Sequence, residues 1–387
     1  MTDLTREPSE TIEDNRTAAA RLATRLAFFA SGFAVACWAP LIPFVKTRLD
    51  ATESQLGLLL LCLGLGSVSA MPLTGLLVSR VGARALILTG GFGMALVLPL
   101  LPLAPSIWLL GPALALFGAS LGMIDVAMNI HAVEVEERSR RPLMSGFHGL
   151  FSLGNFAGAG MMTLLLSLGT APLPAALLGA VLTFLAVIYA MPRFLRARGG
   201  APEPFVLPRG LVLVLALLAG VAFLTEGAML DWGALLVLER GLLSPESAGL
   251  GYMTLSAAMV LARMTGDRLI ARLGDRRVLV AGGLLTLAGF ALLLLAPWPG
   301  LALLGFAGIG LGIANMVPIF FSAAGRQRAM PPALAIAAVT TTGYAGILMG
   351  PAVIGFVADA TSLGTTFWGL ALLAALVPLL ARVVTGR

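Results

Sequence analysis

Three polar side chains lie within apolar stretches of the chain at a spacing that favours proton chemistry. Asp125 and Asn129 are four residues apart, so they share one face of a helix. His148 lies about seven residues into the next predicted helix, at a depth similar to that of Asp125. Because histidine titrates near neutral pH, an acid beside an imidazole can pass a proton. The pattern predicts either proton or substrate handling, or a hydrogen-bonded tie between the two helices.

Glu226 is the second candidate, about 16 residues into a long apolar segment and beyond its midpoint. An acid at the centre of a membrane-spanning helix costs about 2.5–3.5 kcal/mol on insertion scales, so a retained one indicates function. We therefore predict Glu226 as the coupling carboxylate. Asp231 and Trp232 follow near the outer end of the same segment, and Trp38 lies in an earlier one. The two tryptophans either stack on a ligand or anchor the chain at the interface, and Asp231 is either a substrate contact or interfacial.

Other chemistries are excluded or predicted to be absent. Lys46 is the only lysine, so a phosphate-binding loop of the GK[ST] type cannot occur. The elbow-like sequence Gly118-Ala-Ser120-Leu-Gly122 lies inside an apolar helix with no strand before it. Two scattered histidines and two cysteines have no metal-ligand spacing. We expect no enzymatic activity, no metal, no cofactor and no nucleic-acid partner.

Long uncharged segments carry these residues and predict an all-α membrane protein. The chain has 387 residues, of which 58% are hydrophobic and 11% charged, against roughly 25% charged in soluble domains. In hydrocarbon the backbone must satisfy its own hydrogen bonds, and the segments are too long and uniformly apolar for barrel strands. Division at Pro and Gly breakers predicts twelve spans, at residues 21–47, 53–79, 83–101, 104–133, 141–168, 173–193, 210–238, 246–272, 276–296, 300–325, 331–358 and 362–383.

Basic residues predict the orientation of these spans. With the N-terminus inside, 22 of the 25 Lys and Arg residues fall in inner segments. Lys46, Arg48 and Arg240 are the exceptions on the outside. His131, which lies among three glutamates, is expected to be solvated.

The chain also repeats itself at half length. Arg80-Val-Gly82-Ala-Arg84 recurs as Arg272-Leu-Gly274-Asp-Arg276, at a displacement of 192 residues. Glycine pairs of GxxxG spacing, which allow close helix contact, recur in spans 4, 5, 10 and 11. We predict a cytoplasmic tail over 1–20, a six-helix bundle over 21–193, a cytoplasmic linker over 194–209, and a second bundle with a short tail over 210–387, with the substrate between the bundles.

The inner loop from Gly75 to Arg84 resembles the signature of the major facilitator superfamily, with Ser79 where that family usually has Asp. Further segments resemble the bacterial branch related to fucose permeases, although Leu41 stands where that branch often has Arg. These segments are Trp38 to Pro43, Asp125 to Asn129, Arg141 to Gly149, Glu226 to Trp232, Arg263 to Arg268, and Gly343 to Pro351.

The resemblance implies that spans 1, 4, 7 and 10 line a cavity between two pseudo-symmetric six-helix bundles. We expect Glu226, Asp125 and His148 to couple protons. Substrate contacts are expected from Trp38, Asn129, Asp231, Trp232, Asn315 and Tyr344. Gate or structural roles are expected for Arg80, Arg84, Arg263, Asp267, Arg268, Arg272 and Arg276, with Arg263 and Asp267 forming an ion pair.

Together these features predict secondary active transport of a small solute by alternating access, favouring proton-coupled symport of a sugar-like or other polar solute. A drug/proton antiporter that exports amphiphiles is the alternative, and a membrane sensor that moves nothing is a remote one. The expected partners are a small-molecule substrate, protons and the lipid bilayer. We expect a monomer in the bacterial inner membrane with both termini in the cytoplasm.

Overall fold

The computed structural model describes residues 8–51, 53–196, 207–243 and 250–386, and within them the chain is helical with no strand. The helices are α1 (Pro8–Trp38), α2 (Ile42–Arg48), α3 (Glu53–Val81), α4 (Ala83–Val97), α5 (Ile107–Ser139), α6 (Met144–Ser167), α7 (Pro172–Ala190), α8 (Leu211–Glu239), α9 (Leu250–Leu273), α10 (Asp275–Leu295), α11 (Pro299–Ile313), α12 (Met316–Arg326), α13 (Pro332–Ala360), α14 (Leu363–Ala374) and α15 (Leu376–Thr385). Residues 1–7 of the predicted tail and 197–206 of the predicted linker lie outside the described residues.

Within this described part of the chain, ten helical segments are long and apolar enough to cross a membrane, and the bent α13 makes an eleventh. The remaining predicted span, 246–272, corresponds to α9, which is 24 residues long; residues 246–249 of that prediction lie outside the described residues. That length can cross the hydrocarbon core, and α9 carries four charged residues, Arg263, Asp267, Arg268 and Arg272. The predicted all-α membrane fold is confirmed.

Several spans are interrupted where proline removes a backbone donor, and two of these breaks bear on the site. α1 ends at Trp38, and a 3-10 turn over Ala39–Leu41 leads into α2. Between α11 and α12 the helix breaks at Ala314 and Asn315. Pro318 lies four residues after Ala314 and has no N–H to donate to the Ala314 carbonyl. The second break therefore leaves a carbonyl oxygen that needs another donor.

Each half of the sequence builds the same local geometry. Gly82 precedes α4 at φ 80° and ψ 153°, and Gly274 precedes α10 at φ 78° and ψ 156°. Positive φ is accessible to glycine at no steric cost. The predicted close helix contacts also recur, since a Cβ on Gly118 would lie 1.9 Å from the Leu63 carbonyl oxygen and one on Gly310 would lie 2.4 Å from that of Leu255. Both pairs are related by the 192-residue displacement.

The chain divides into two compact units. One comprises residues 1–143 and 150–205, and the other residues 144–149 and 206–387. Inside the first unit α3 packs along α5 and α4 along α5, and inside the second α8 packs along α13 and α10 along α11. The predicted boundaries at 193 and 210 stay a prediction.

The glycine contacts yield a first test. Gly118→Ala places a methyl group against the Leu63 carbonyl, so we expect a loss of about 1–3 kcal/mol from overpacking and a lower Tm of the purified protein. Gly160→Ala is the control, because a Cβ at this exposed helical glycine meets no atom within 4 Å. Equal Tm values for the two variants would contradict the predicted approach of α3 and α5.

Candidate coupling and substrate site

The central feature of the second unit is an ion pair between two apolar helices. The Glu226 carboxylate of α8 lies 3.4 Å from a guanidinium nitrogen of Arg263 in α9. The Arg263 side chain is 7% exposed and that of Glu226 28% exposed, so the carboxylate is the accessible member. Removing one partner of a buried pair costs far more than the pair contributes, because a charge is left without compensation in a low dielectric. The positions of the Glu226 and Arg263 side chains are therefore linked.

Arg263 also donates a hydrogen bond at the break between α11 and α12. Its Nε donates to the Ala314 carbonyl oxygen at 3.1 Å, the group that Pro318 leaves without a helical donor. A planar guanidinium has five donors in a fixed fork and can satisfy a carboxylate and a carbonyl together. One arginine thus connects the carboxylate of α8 to the broken span.

Asn315 lies at this break and is 5% exposed. Its amide nitrogen donates to the Ala262 carbonyl at 3.3 Å, so Asn315 binds the residue before Arg263. A Cβ on Gly266 would lie 2.0 Å from the Asn315 side-chain oxygen, and only glycine leaves room for this amide. The structure thus brings the predicted residues Glu226, Arg263 and Asn315 into one cluster.

Tyr252 belongs to the same region and was missed by the sequence reasoning. It lies within electrostatic range of Glu226, Arg263 and Asp231. Tyr252 and Arg263 are eleven positions apart on α9, close to three full helical turns, so they share a face. That spacing is the signal that would have found it. Asp231, near the outer end of α8, is exposed.

The short segment 144–149 packs inside the second unit and contributes His148. The His148 ring stacks on Phe321 with centroids 5.5 Å apart, and it lies within electrostatic range of Arg263. The Gly146 N–H donates to the Asp267 carboxylate at 2.9 Å, where a negative charge also suits the first turn of a helix. The predicted ion pair between Arg263 and Asp267 stays a prediction.

Two further predicted substrate residues in this unit are packed against other helices. The Trp232 ring lies over Gly355 of α13, where a Cβ would come within 3.2 Å of it. Tyr344 faces Phe223, with ring centroids 6.0 Å apart. The Trp232 indole N–H is buried and finds no hydrogen-bond acceptor among the described residues. Buried indole N–H groups usually have a hydrogen-bond acceptor, so this N–H is available to a further acceptor.

The first unit holds the remaining predicted residues. The Asn129 amide donates to the Asp125 backbone carbonyl at 2.9 Å and lies 3.5 Å from the Asp125 carboxylate. Both residues are nearly fully buried in α5. Trp38 is 4% exposed, and its indole N–H, like that of Trp232, has no hydrogen-bond acceptor in the described part of the chain.

The expectation that His131 is solvated is wrong. This residue is 1% exposed, and both ring nitrogens are engaged. Nδ1 lies 3.0 Å from the Thr24 hydroxyl, and Nε2 accepts the Leu195 N–H at 3.0 Å. His131 therefore ties α1, α5 and the chain after α7 together. The three neighbouring glutamates do not indicate its contact with Thr24, which lies 107 positions away in the sequence.

Of the predicted gate arginines, Arg84 has a defined partner inside its own unit. Its Nε donates to the Met191 carbonyl at the end of α7, at 3.1 Å. Arg80, Arg268, Arg272 and Arg276 are exposed. Their gate roles stay predictions.

Paired helical halves, apolar spans and ionisable residues within those spans define a multi-pass integral membrane protein of the transporter type. The family model of the Major Facilitator Superfamily matches residues 25–329, and the chain belongs to this superfamily. An uncharacterised MFS-type transporter of Yersinia pestis is 47% identical over 367 residues, which cover 94% of this chain and 96% of that protein.

Two solved structures are similar in fold. The E. coli fucose:proton symporter FucP matches with a TM-score of 0.72 and 19% identity, covering 94% of this chain and 98% of that one. The proton:xylose symporter XylE matches with a TM-score of 0.67 and 14% identity, covering 95% of each chain. The resemblance to fucose permeases is confirmed at the level of fold.

The Arg263 contacts yield a second prediction. Arg263→Gln removes the charge opposite Glu226 and the donor to Ala314, so we expect a loss of about 3–5 kcal/mol. Pro318→Ala restores a backbone N–H four residues after Ala314. We expect the double variant to recover about 1 kcal/mol relative to additivity, measured by thermal unfolding of all four proteins. Strictly additive effects of the two substitutions would contradict the prediction that Arg263 takes the place of the missing N–H at the Ala314 carbonyl.

Proposed function

We propose that this chain is a proton-coupled symporter of a small polar, sugar-like solute that works by alternating access. The observation that carries the proposal is the Glu226–Arg263 pair inside two apolar helices, at 3.4 Å. A carboxylate in this position is costly to place in a membrane. It is also partly accessible, so a proton can reach it.

Proton binding at Glu226 has a direct structural consequence. A neutral carboxylic acid no longer neutralises the guanidinium, and Arg263 holds the carbonyl at the α11–α12 break. A change at Glu226 is thereby transmitted to Asn315 and the broken span. This is the kind of linkage that alternating access requires, because a ligand shifts a conformational equilibrium only through differential contacts.

The neutral polar groups favour a polar solute over an amphiphile. Asn315, Tyr252 and the unpaired indole donor of Trp232 supply amide, hydroxyl and N–H groups within the second unit. Asn129 and the unpaired donor of Trp38 supply similar groups in the first. The two proton symporters of similar fold, whose named solutes are fucose and xylose, support the same choice.

Proton coupling supplies enough energy for accumulation. One charge crossing 100 mV yields about 2.3 kcal/mol, which corresponds to a concentration ratio of a few tens. We place the protein in the bacterial inner membrane as a monomer with both termini in the cytoplasm, because 22 of 25 basic residues then lie on the inner side.

The third prediction concerns coupling. A thermal-shift screen of sugars, amino acids and drugs identifies a ligand, and radiolabelled uptake of that ligand into proteoliposomes follows. Glu226→Gln is expected to reduce accumulation driven by an imposed pH gradient at least tenfold. Exchange of internal for external solute is expected to continue. Glu239→Gln, the same change at an exposed residue of α8, is expected to behave like the unaltered protein.

The outcomes separate the alternatives. Undiminished gradient-driven uptake by Glu226→Gln contradicts the assigned coupling residue. Efflux of amphiphiles driven by an inward proton gradient identifies the drug/proton antiporter instead. Ligand binding with neither uptake nor exchange identifies a sensor.

A further inference from the structure

Two arginines outside the proposed site make the same contact in the two sequence halves. An Nη of Arg48 donates to the Ala104 carbonyl at 2.6 Å, and an Nη of Arg240 donates to the Ala296 carbonyl at 3.0 Å. Each pair is separated by 56 positions, and the second pair follows the first at the 192-residue displacement. Arg240 also donates through its other Nη to the Leu293 carbonyl.

The carbonyls are available because proline follows them. Ala104 precedes Pro105, and Ala296 precedes Pro297. A residue before proline is driven out of the helical region, and Ala296, directly after α10, has φ −57° and ψ 124°. Pro297 also lacks the N–H that would reach Leu293 in a continuing helix. The C-terminal end of α10 is thus left with carbonyls that have lost their helical donors, whereas Ala104 lies in the connection between α4 and α5.

Arginine suits this position for two reasons. At the end of α10 the positive charge of Arg240 complements the negative end of the helix dipole, and its fork reaches the Leu293 and Ala296 carbonyls at once. The contact also explains why Arg48 and Arg240 are exceptions to the inner placement of basic residues. They are held on the outside by carbonyls of their own unit.

We propose that Arg48 and Arg240 form a duplicated outer clamp, one in each half, which fixes the outer end of the first span to the chain that directly follows the third. In the first half the chain reaches Arg48 through the broken segment Ala39–Leu41 and α2. In the second half α8 runs unbroken to Glu239, and Arg240 follows directly. The clamp makes the first and third spans of a half move together, and it leaves the break after Trp38 as the place where the first half bends.

The fourth prediction tests the clamp by hydrogen–deuterium exchange on the full-length protein in detergent or nanodiscs. Arg240→Gln is expected to raise amide exchange roughly tenfold at the end of α10 and the end of α8, with no change in the first half. Arg48→Gln is expected to act on α2 and on residues 98–104 alone. Arg277→Gln is the control, because Arg277 is exposed at the opposite end of α10 and loses the same charge.

Lysine variants separate charge from geometry. Lysine is a point charge without a planar fork. Arg240 binds two carbonyls, so Arg240→Lys is expected to lose protection against amide exchange there. Arg48 donates to the Ala104 carbonyl, so Arg48→Lys is expected to keep more of this protection. If Arg240→Gln does not fold, Arg240→Lys and the double variant Arg240→Gln/Pro297→Ala carry the test, the latter recovering protection through its new N–H. Unchanged exchange in both arginine-to-glutamine variants, or loosening that spreads to both halves, overturns the clamp.

Discussion

The structure depends on how backbone carbonyls at helix breaks find donors in a membrane. Water is absent from the hydrocarbon region, so a carbonyl that loses its i+4 N–H must be satisfied by the protein itself. Arginine does this at Ala314, and arginines also bind the carbonyls of Ala104, Met191 and Ala296 at the ends of spans. The chain carries a single lysine, Lys46, among its 25 basic residues, and the fork of the guanidinium gives a physical reason for that preference.

The same constraint explains why the two halves are similar in some places and different in others. The Gly82 and Gly274 turns, the Gly118 and Gly310 contacts, and the Arg48 and Arg240 bonds repeat because each solves a backbone problem common to both halves. The ionisable residues do not repeat in this way. Asp125 in the first unit corresponds to Asn315 in the second at a displacement of 190. Glu226 and Arg263 correspond, at a displacement of 192, to the apolar residues Ala34 and Met71.

Sequence reasoning was effective where one stretch of chain determines the outcome. Uncharged length predicted the spans, and Glu226 was identified because a carboxylate in an apolar helix is costly. It was less effective where the partner is remote. The bond between Arg263 and Glu226, which joins residues 37 positions apart, was not predicted. His131 was judged by its glutamate neighbours, whereas its partners Thr24 and Leu195 lie 107 and 64 positions away.

The Glu226–Arg263 pair is hard to explain as a stabilising element. Replacing a buried ion pair by apolar residues of similar volume is often neutral or stabilising, because desolvation offsets the attraction. The Ala314 carbonyl could be satisfied more simply by a non-proline residue at 318, which would restore the helical N–H. The chain instead combines a proline, a helix break and a buried arginine with a carboxylate that remains 28% exposed. An arrangement that costs stability at three positions fits the coupling role that we propose for Glu226.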